Sequence, residues 1–317
     1  MQLRDLSEFG WIARIRRAAE RAGVPRHVVV GIGDDAAVLR PRAGEDLVVS
    51  TDACVEDVHF RFATDPDRVI GARAVAAGLS DLAAMGARPL GVTVAFAGPA
   101  ELPVRRLDGI TRGILAVCSA HEAPLVGGNV ARAAQTSLTV TACGAVARGR
   151  ALRRDAARRG DRIFVTGRLG DAALERARVE AGPGRIRRVP EPRLAAGLKL
   201  ARAAFRGACI DVSDGLLADL EHLLEASGRG ARISLDALPR RRGFDAACHA
   251  LGLDPASLLL SGGEDYELLF TTRADAPRAA ALARRLGVPV AEIGKVTASG
   301  LQLDGALRTP NGGWRHF

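Results

Sequence analysis

The chain has 317 residues, 48% hydrophobic and only 4% aromatic, which suits about two domains with cores of Ala, Val and Leu. Its formal charge of +9 comes from 45 basic residues, nearly all arginines strung along Ala-rich helical stretches without interleaved aromatics, which argues against a nucleic-acid stacking platform. No apolar run is long enough for a bilayer, Met1-Gln2-Leu3-Arg4-Asp5 lacks a signal-peptide core, and five scattered cysteines without metal spacing fit a reducing, cytoplasmic compartment.

The first predicted element is a helix over residues 5–22, with Leu6, Phe9, Ile12 and Ile15 on one apolar face. Gly23-Val24-Pro25 ends it. Short β segments, Val28–Val30 and Ala36–Leu39, flank a Gly-Asp-Asp turn. Residues 46–52 read as a strand ending in Ser50, Thr51 and Asp52. A helix follows over 66–85, started by Pro66, with Ser80-Asp81 set among small apolar residues. A strand over 90–97, a helix over 107–121, Gly127-Gly128-Asn129 and a strand over 137–146 complete the first half. The basic stretch 148–160 marks a composition shift and a domain boundary, giving domains 1–148 and 149–317.

The second half opens with a strand over 162–166, a turn and a helix from Asp171. A helix over 194–205, a strand over 208–212 and a helix over 216–227 follow. Further strands are expected at 231–235, 267–271 and 288–293, the last with a short continuation at Lys295-Val296, and a helix at 277–286. This order implies an α+β architecture in each half.

The stretch Val28-Val29-Val30-Gly31-Ile32-Gly33-Asp34-Asp35-Ala36 organises the rest. Adjacent carboxylates repel unless a cation sits beside them. More acids recur at strand and helix ends: Asp52 and Asp81 in the first half, then Asp211, Asp214, Glu264 and Asp265. No His/Cys set accompanies them, so oxygen-only ligation of Mg²⁺ or Mn²⁺ is favoured over zinc. Gly31-x-Gly33-x-x-Ala36 also fits a dinucleotide fingerprint. There, however, Asp34 and Asp35 would repel the pyrophosphate, and Pro41 and Gly44 interrupt the long helix that motif requires. The Walker A loop, the nucleophile elbow and the protein-kinase motifs are absent.

Gly31-Ile32-Gly33-Asp34-Asp35-Ala36-Ala37, Ser50-Thr51-Asp52 with Val58-His59-Phe60, and Leu79-Ser80-Asp81-Leu82-Ala83-Ala84-Met85-Gly86-Ala87 resemble the thiamine-monophosphate kinase family. So do Val126-Gly127-Gly128-Asn129, Asp211-Val212-Ser213-Asp214-Gly215-Leu216, Ser261-Gly262-Gly263-Glu264-Asp265-Tyr266-Glu267 and the closing Gly313-Trp314-Arg315-His316-Phe317. The resemblance implies a two-domain aminoimidazole ribonucleotide synthetase-like fold whose N-terminal sheets pair across a homodimer, with the active site between the domains. It implies transfer of the γ-phosphoryl of ATP to thiamine monophosphate, the last step in making thiamine diphosphate. Asp34, Asp35, Ser50, Thr51, Asp52, Asp81, Asn129, Asp211 and Asp214 would hold several Mg²⁺ ions. Gly128, Asn129, Arg154 and Ser213 would contact ATP. His59, Glu264, Asp265 and Trp314 would contact the thiamine phosphate. Many family members have Asp where this chain has Asn129, which removes a charge from that metal position.

The chemistry agrees with the absence of a catalytic base. The accepting phosphate has a second pKa of about 6 and is already ionised at neutral pH. The barrier lies in bringing two polyanions together, which cations and alignment lower. Two alternatives stay open on the residues: a related ATP-dependent synthetase acting on another small molecule, and a non-catalytic nucleotide sensor.

Overall fold

The computed structural model describes residues 8–21, 23–32, 36–203 and 206–305. It separates into two compact units. The first comprises Met1–Leu82, Arg88–Gly149 and Arg185–Val189, and the second Ala83–Ala87, Arg150–Gly184 and Pro190–Phe317.

In the first unit α1 (Glu8–Arg21), β1 (Val28–Val30) and β2 (Val38–Leu39) precede β3 (Glu45–Val55), α2 (Asp67–Ala84) and β4 (Arg88–Gly98). Then come α3 (Val104–Ala120), β5 (Leu125–Arg132) and β6 (Ser137–Ala147). A four-stranded sheet runs β3-β6-β4-β5. Strand β3 continues past Asp52, the expected end, because it pairs without interruption with β6 from Glu45 opposite Ala147 to Val55 opposite Ser137. This regular pairing alternates its side chains between two faces. Leu47 (59%) and Val49 (57%) are among the large hydrophobics left exposed, on the same face as Thr51. The sequence Val126-Gly127-Gly128-Asn129 lies inside β5, where Gly127 to Asn129 pair in parallel with Thr93 to Ala95 of β4. A Cβ on Gly128 would stand 2.1 Å from the Val94 carbonyl oxygen, so the backbone approach there needs glycine.

The second unit holds β7 (Arg162–Thr166), α4 (Asp171–Glu180), α5 (Leu194–Arg202), β8 (Cys209–Asp211), α6 (Leu216–Ser227) and β9 (Gly230–Ser234). It continues with α7 (Phe244–His249), α8 (Pro255–Ser261), β10 (Leu268–Thr272), α9 (Ala279–Leu286), β11 (Val290–Thr297) and β12 (Leu301–Asp304). Its six-stranded sheet runs β12-β9-β11-β7-β10-β8. Ile163, Val165, Ile210, Leu217, Leu220 and Phe244 belong to one buried cluster. The rings of Phe164 and Phe270 stack 5.5 Å apart.

Both units mix helices with mixed sheets, so the fold is α+β. Four further elements differ from expectation. Helices α7 and α8 are short, and α8 is announced only by its cap, Asp254 accepting from the Ala256 and Ser257 amides ahead of Pro255. Strand β12 exists because it pairs in parallel with β9, a long-range partner invisible locally. Strand β11 is one element across the expected break, absorbing a register shift between Glu292 and Gly294. Among the described residues no helix is long and apolar enough to cross a membrane. The five cysteines form no disulfide.

Candidate active site

In the first unit, alternation along β3 puts Ser50 and Asp52 on the face away from Leu47 and Val49. Helix α2 meets that face. The Ser50 hydroxyl donates to Oδ2 of Asp81. Gly78, one turn before Asp81, lets the helix pack close to the strand: a Cβ there would lie 3.6 Å from Asp52 Oδ2 and 3.3 Å from Val140 Cγ1. Ser50, Asp52 and Asp81 are therefore gathered, partly exposed, on one surface. Thr51 is not with them. Its hydroxyl lies on the opposite face, 2.9 Å from the Thr141 hydroxyl.

His59 sits in the turn after β3. Its Nδ1 accepts from the Val55 amide at 3.1 Å, which places the proton of the neutral ring on Nε2. Asn129 is exposed on β5. A cavity of about 670 Å³ in this unit is lined by Ala36, Ala37, Thr93, Ala95, Gly128 and Asn129 among others. That is within the usual size of a nucleotide or cofactor pocket.

In the second unit two loops lie side by side. Asp211 closes β8 and is 3% exposed. The turn Ser213-Asp214-Gly215 follows and enters α6. The Asp219 carboxylate, one turn into that helix, reaches back to accept from the amides of Ser213 (2.9 Å), Asp214 (3.1 Å) and Gly215 (3.2 Å). The second loop is bonded to the first, with Glu264 N–H donating to Ser213 O at 2.7 Å and Tyr266 N–H to Val212 O at 2.8 Å. Along it, Glu264 and Tyr266 are partly exposed, whereas Asp265 and Glu267 are buried. Asp265 Oδ2 accepts from the Gly170 amide at 2.8 Å. Asp265, grouped with the acceptor contacts on sequence, is thus turned inward. Arg154 is exposed in a short 3₁₀ turn, where its carbonyl accepts from the Ser227 hydroxyl at 2.7 Å.

Asp34, Asp35 and Trp314 lie outside the described residues. Among the described residues no three His, Cys, Asp or Glu side chains form a ready-made metal centre. The donors present nevertheless suit a hard dication. They are carboxylate, hydroxyl and amide oxygens, with Ser50, Asp52 and Asp81 on one surface. In the second unit, burial and then the charges of Asp211 and Asp214 push the Asp219 carboxyl up to about 7, against the pull of the backbone amides it accepts from. A cluster under such mutual repulsion is relieved by a bound cation.

Sequence reading passed over Asp219, Arg193 and the inward role of Glu267. Asp219 does carry a signal: an acid within the apolar run Leu216-Leu217-Ala218-Asp219-Leu220, four residues after a glycine that opens a helix.

Residues 33–146 match the N-terminal domain of the AIR synthase related proteins, and residues 158–304 match their C-terminal domain. The thiamine-monophosphate kinase of Synechococcus elongatus is 40% identical over 280 residues, covering 84% of this chain and 83% of that protein. The chain belongs to the thiamine-monophosphate kinase family. The crystal structure of the family member from Stenotrophomonas maltophilia is 40% identical and superposes with a TM-score of 0.81, covering 96% of this chain and 98% of that one. A further family structure, AaThiL complexed with AMPPCP and TMP, is 28% identical with a TM-score of 0.76 and covers 100% of this chain and 99% of that one.

Proposed function

We infer that this chain is an ATP-dependent kinase that phosphorylates thiamine monophosphate to thiamine diphosphate. The observation that carries this reading is a relative, matched over the whole chain, that was captured with AMPPCP, an ATP analogue, and TMP together. The curated relatives that carry the enzyme's name support it.

In the first unit, Ser50, Asp52, Asp81 and Asn129, with Asp34 and Asp35, would hold Mg²⁺. Asp211 and Asp214 would do so in the second. Bound there, Mg²⁺ would neutralise the phosphates of donor and acceptor and hold them in line. Gly128, Asn129, Arg154 and Ser213 would contact ATP. The cavity against Thr93, Ala95 and Gly128 offers space for its nucleoside. His59, Glu264 and Trp314 would bind thiamine monophosphate, with Nε2–H of His59 suited to donate to a phosphate oxygen and Glu264 complementing the cationic ring. Asn129 supplies an amide oxygen without charge, which would weaken one ion site. No side chain needs to remove a proton, because the attacking phosphate oxygen is already ionised.

Residues 1–148 would form the nucleotide- and metal-binding domain that also dimerises, and residues 149–317 would complete the site. The exposed face of β3, with Leu47 and Val49 in one row, supports a homodimer. Leu47→Asp combined with Val49→Asp is expected to halve the mass seen by light scattering. Unchanged mass would remove that face from the interface. The five free cysteines support a cytoplasmic location.

The function is tested by incubating the protein with ATP, Mg²⁺ and thiamine monophosphate and separating the products. Thiamine diphosphate and ADP in equal amounts are expected. ADP with inorganic phosphate and unchanged thiamine monophosphate would point to a sister synthetase.

A further inference from the structure

The loop carrying Glu264 is held in an uncommon conformation. Gly263, Glu264 and Tyr266 have φ of 63°, 57° and 52°. Side-chain-bearing residues adopt this left-handed region rarely, and two of them so close together persist only where the surroundings impose it. The hydrogen bonds to Val212 and Ser213 fix the outer edge of the loop. Its inner end is fixed differently, by an ion pair between a partly exposed arginine and a buried glutamate that none of the roles above uses.

Glu267 is 2% exposed. Arg193, at the start of α5, grips both its oxygens: Nε to Oε2 at 2.6 Å and a terminal nitrogen to Oε1 at 2.6 Å. The Thr166 hydroxyl donates to Oε2 at 2.6 Å and itself accepts from the Leu268 amide at 2.8 Å. Gly167, at φ 58°, makes room for this carboxylate, since a Cβ there would stand 1.8 Å from Glu267 Oε1. The Glu267 carbonyl accepts from the Val212 amide at 2.8 Å, tying the same residue to the Asp211 strand. Burial opposes the charge on Arg193, but the bonds and charge of Glu267 hold its pKa above the ordinary value.

Burying an ion pair adds little net stability over an apolar pair of equal volume. What a two-pronged guanidinium–carboxylate contact does supply is direction, because it is satisfied in one geometry only. Alternation along the loop then converts that direction into aim: with Asp265 and Glu267 fixed inward, Glu264 and Tyr266 must face outward.

We propose that Arg193 and Glu267 are a positioning pair that holds residues 263–266 in their left-handed course and aims Glu264 and Tyr266 at the bound thiamine phosphate. The proposal rests on the assignment of Glu264 to the acceptor made above. It predicts a loss specific to one substrate. The test is steady-state kinetics with thiamine monophosphate and ATP varied separately, on wild type, on Arg193→Met combined with Glu267→Met, on Glu267→Gln and on Arg193→Lys.

The double variant removes the pair without stranding a charge, so it should melt within a few degrees of wild type. Its KM for thiamine monophosphate is expected to rise about tenfold, while its KM for ATP moves less than about twofold. Arg193→Lys, which keeps the charge but not the fork, should recover part of the loss. Should the double variant fail to fold, Glu267→Gln, which keeps the Thr166 contact, must show the same one-sided rise in KM. Unchanged KM values, an equal rise in both, or a fall in kcat alone would overturn the proposal and leave a structural pair. If wild type itself does not convert thiamine monophosphate, the functional reading fails first, and the acceptor assignment beneath the pair falls with it.

Discussion

The two units handle their acids in opposite ways. In the first, Ser50 and Asp52 stand on a regular strand and Asp81 on a helix. All three are partly exposed, and Asp81 takes a hydroxyl from Ser50. Rigid elements place all three. In the second, the outward acids sit on loops, and each loop has an inward acid that shapes it. Asp219 gathers three backbone amides beneath Asp214, and Glu267 locks the strand end behind Glu264. A loop has no sheet or helix ladder to fix its backbone, so buried carboxylates do that work. Apart from the buried Asp211, the acids around the candidate site thus divide into those placed to face ligands and those that hold the first kind in place.

The sharpest way to break this division is to exchange members across it. Replacing an outward acid should cost activity and spare the fold. Asp81→Ala and Asp214→Ala are each expected to lower kcat by at least about 10²-fold, the scale of losing one preorganised electrostatic contact, with melting temperatures near wild type by calorimetry. A variant whose melting temperature falls by many degrees while its kcat stays unchanged would place that residue in the other class.

Replacing an inward acid should cost stability through unpaired backbone groups. Asp219→Asn keeps an acceptor for the three amides, and Asp219→Ala does not. In urea unfolding without metal, the Ala variant is expected to be less stable than the Asn variant by about 1–3 kcal/mol. Equal stability of the two would mean that the amides need no partner.

The smallest effect belongs to an ion pair outside both classes. Arg162 hydrogen-bonds Glu292 across β7 and β11 and holds its carboxyl below the ordinary value. A carboxyl lowered on folding stabilises above its unfolded pKa and loses that contribution as pH falls through the folded pKa. Glu292→Gln should therefore cost about 1 kcal/mol at neutral pH. The difference from wild type should shrink below pH 4.5, the ordinary value for Glu, and activity should not change. A pH-independent difference would show that packing, not charge, is involved.

Most of the fold's elements were legible because they carry local signals. Residues 216–227 follow a glycine, keep a helical apolar face and end at Gly228, and α6 spans Leu216–Ser227. Residues 162–166 form a short apolar run between turns, and β7 occupies them. What escaped depends on distant partners: β12 exists through β9, and the reach of β3 through β6. The site was legible as a roster of acids at glycine- and serine-rich turns. Which acids face outward was not, because that depends on alternation in a folded strand and on left-handed residues such as Glu264 and Tyr266 that no propensity announces. Thr51 and Asp265 show the difference, each standing beside a ligand candidate in sequence and turned the other way in space.

The reading proposed above is direct transfer of a phosphoryl group to thiamine monophosphate, with Mg²⁺ held by the outward acids. The most direct measurement follows label from γ-labelled ATP, in the presence of Mg²⁺ and thiamine monophosphate, with wild type and Asp214→Ala side by side. Label is expected in thiamine diphosphate with wild type, lost on adding a chelator, and little or none with the variant. Label appearing only as inorganic phosphate, or transfer that survives both the chelator and the substitution, would contradict it.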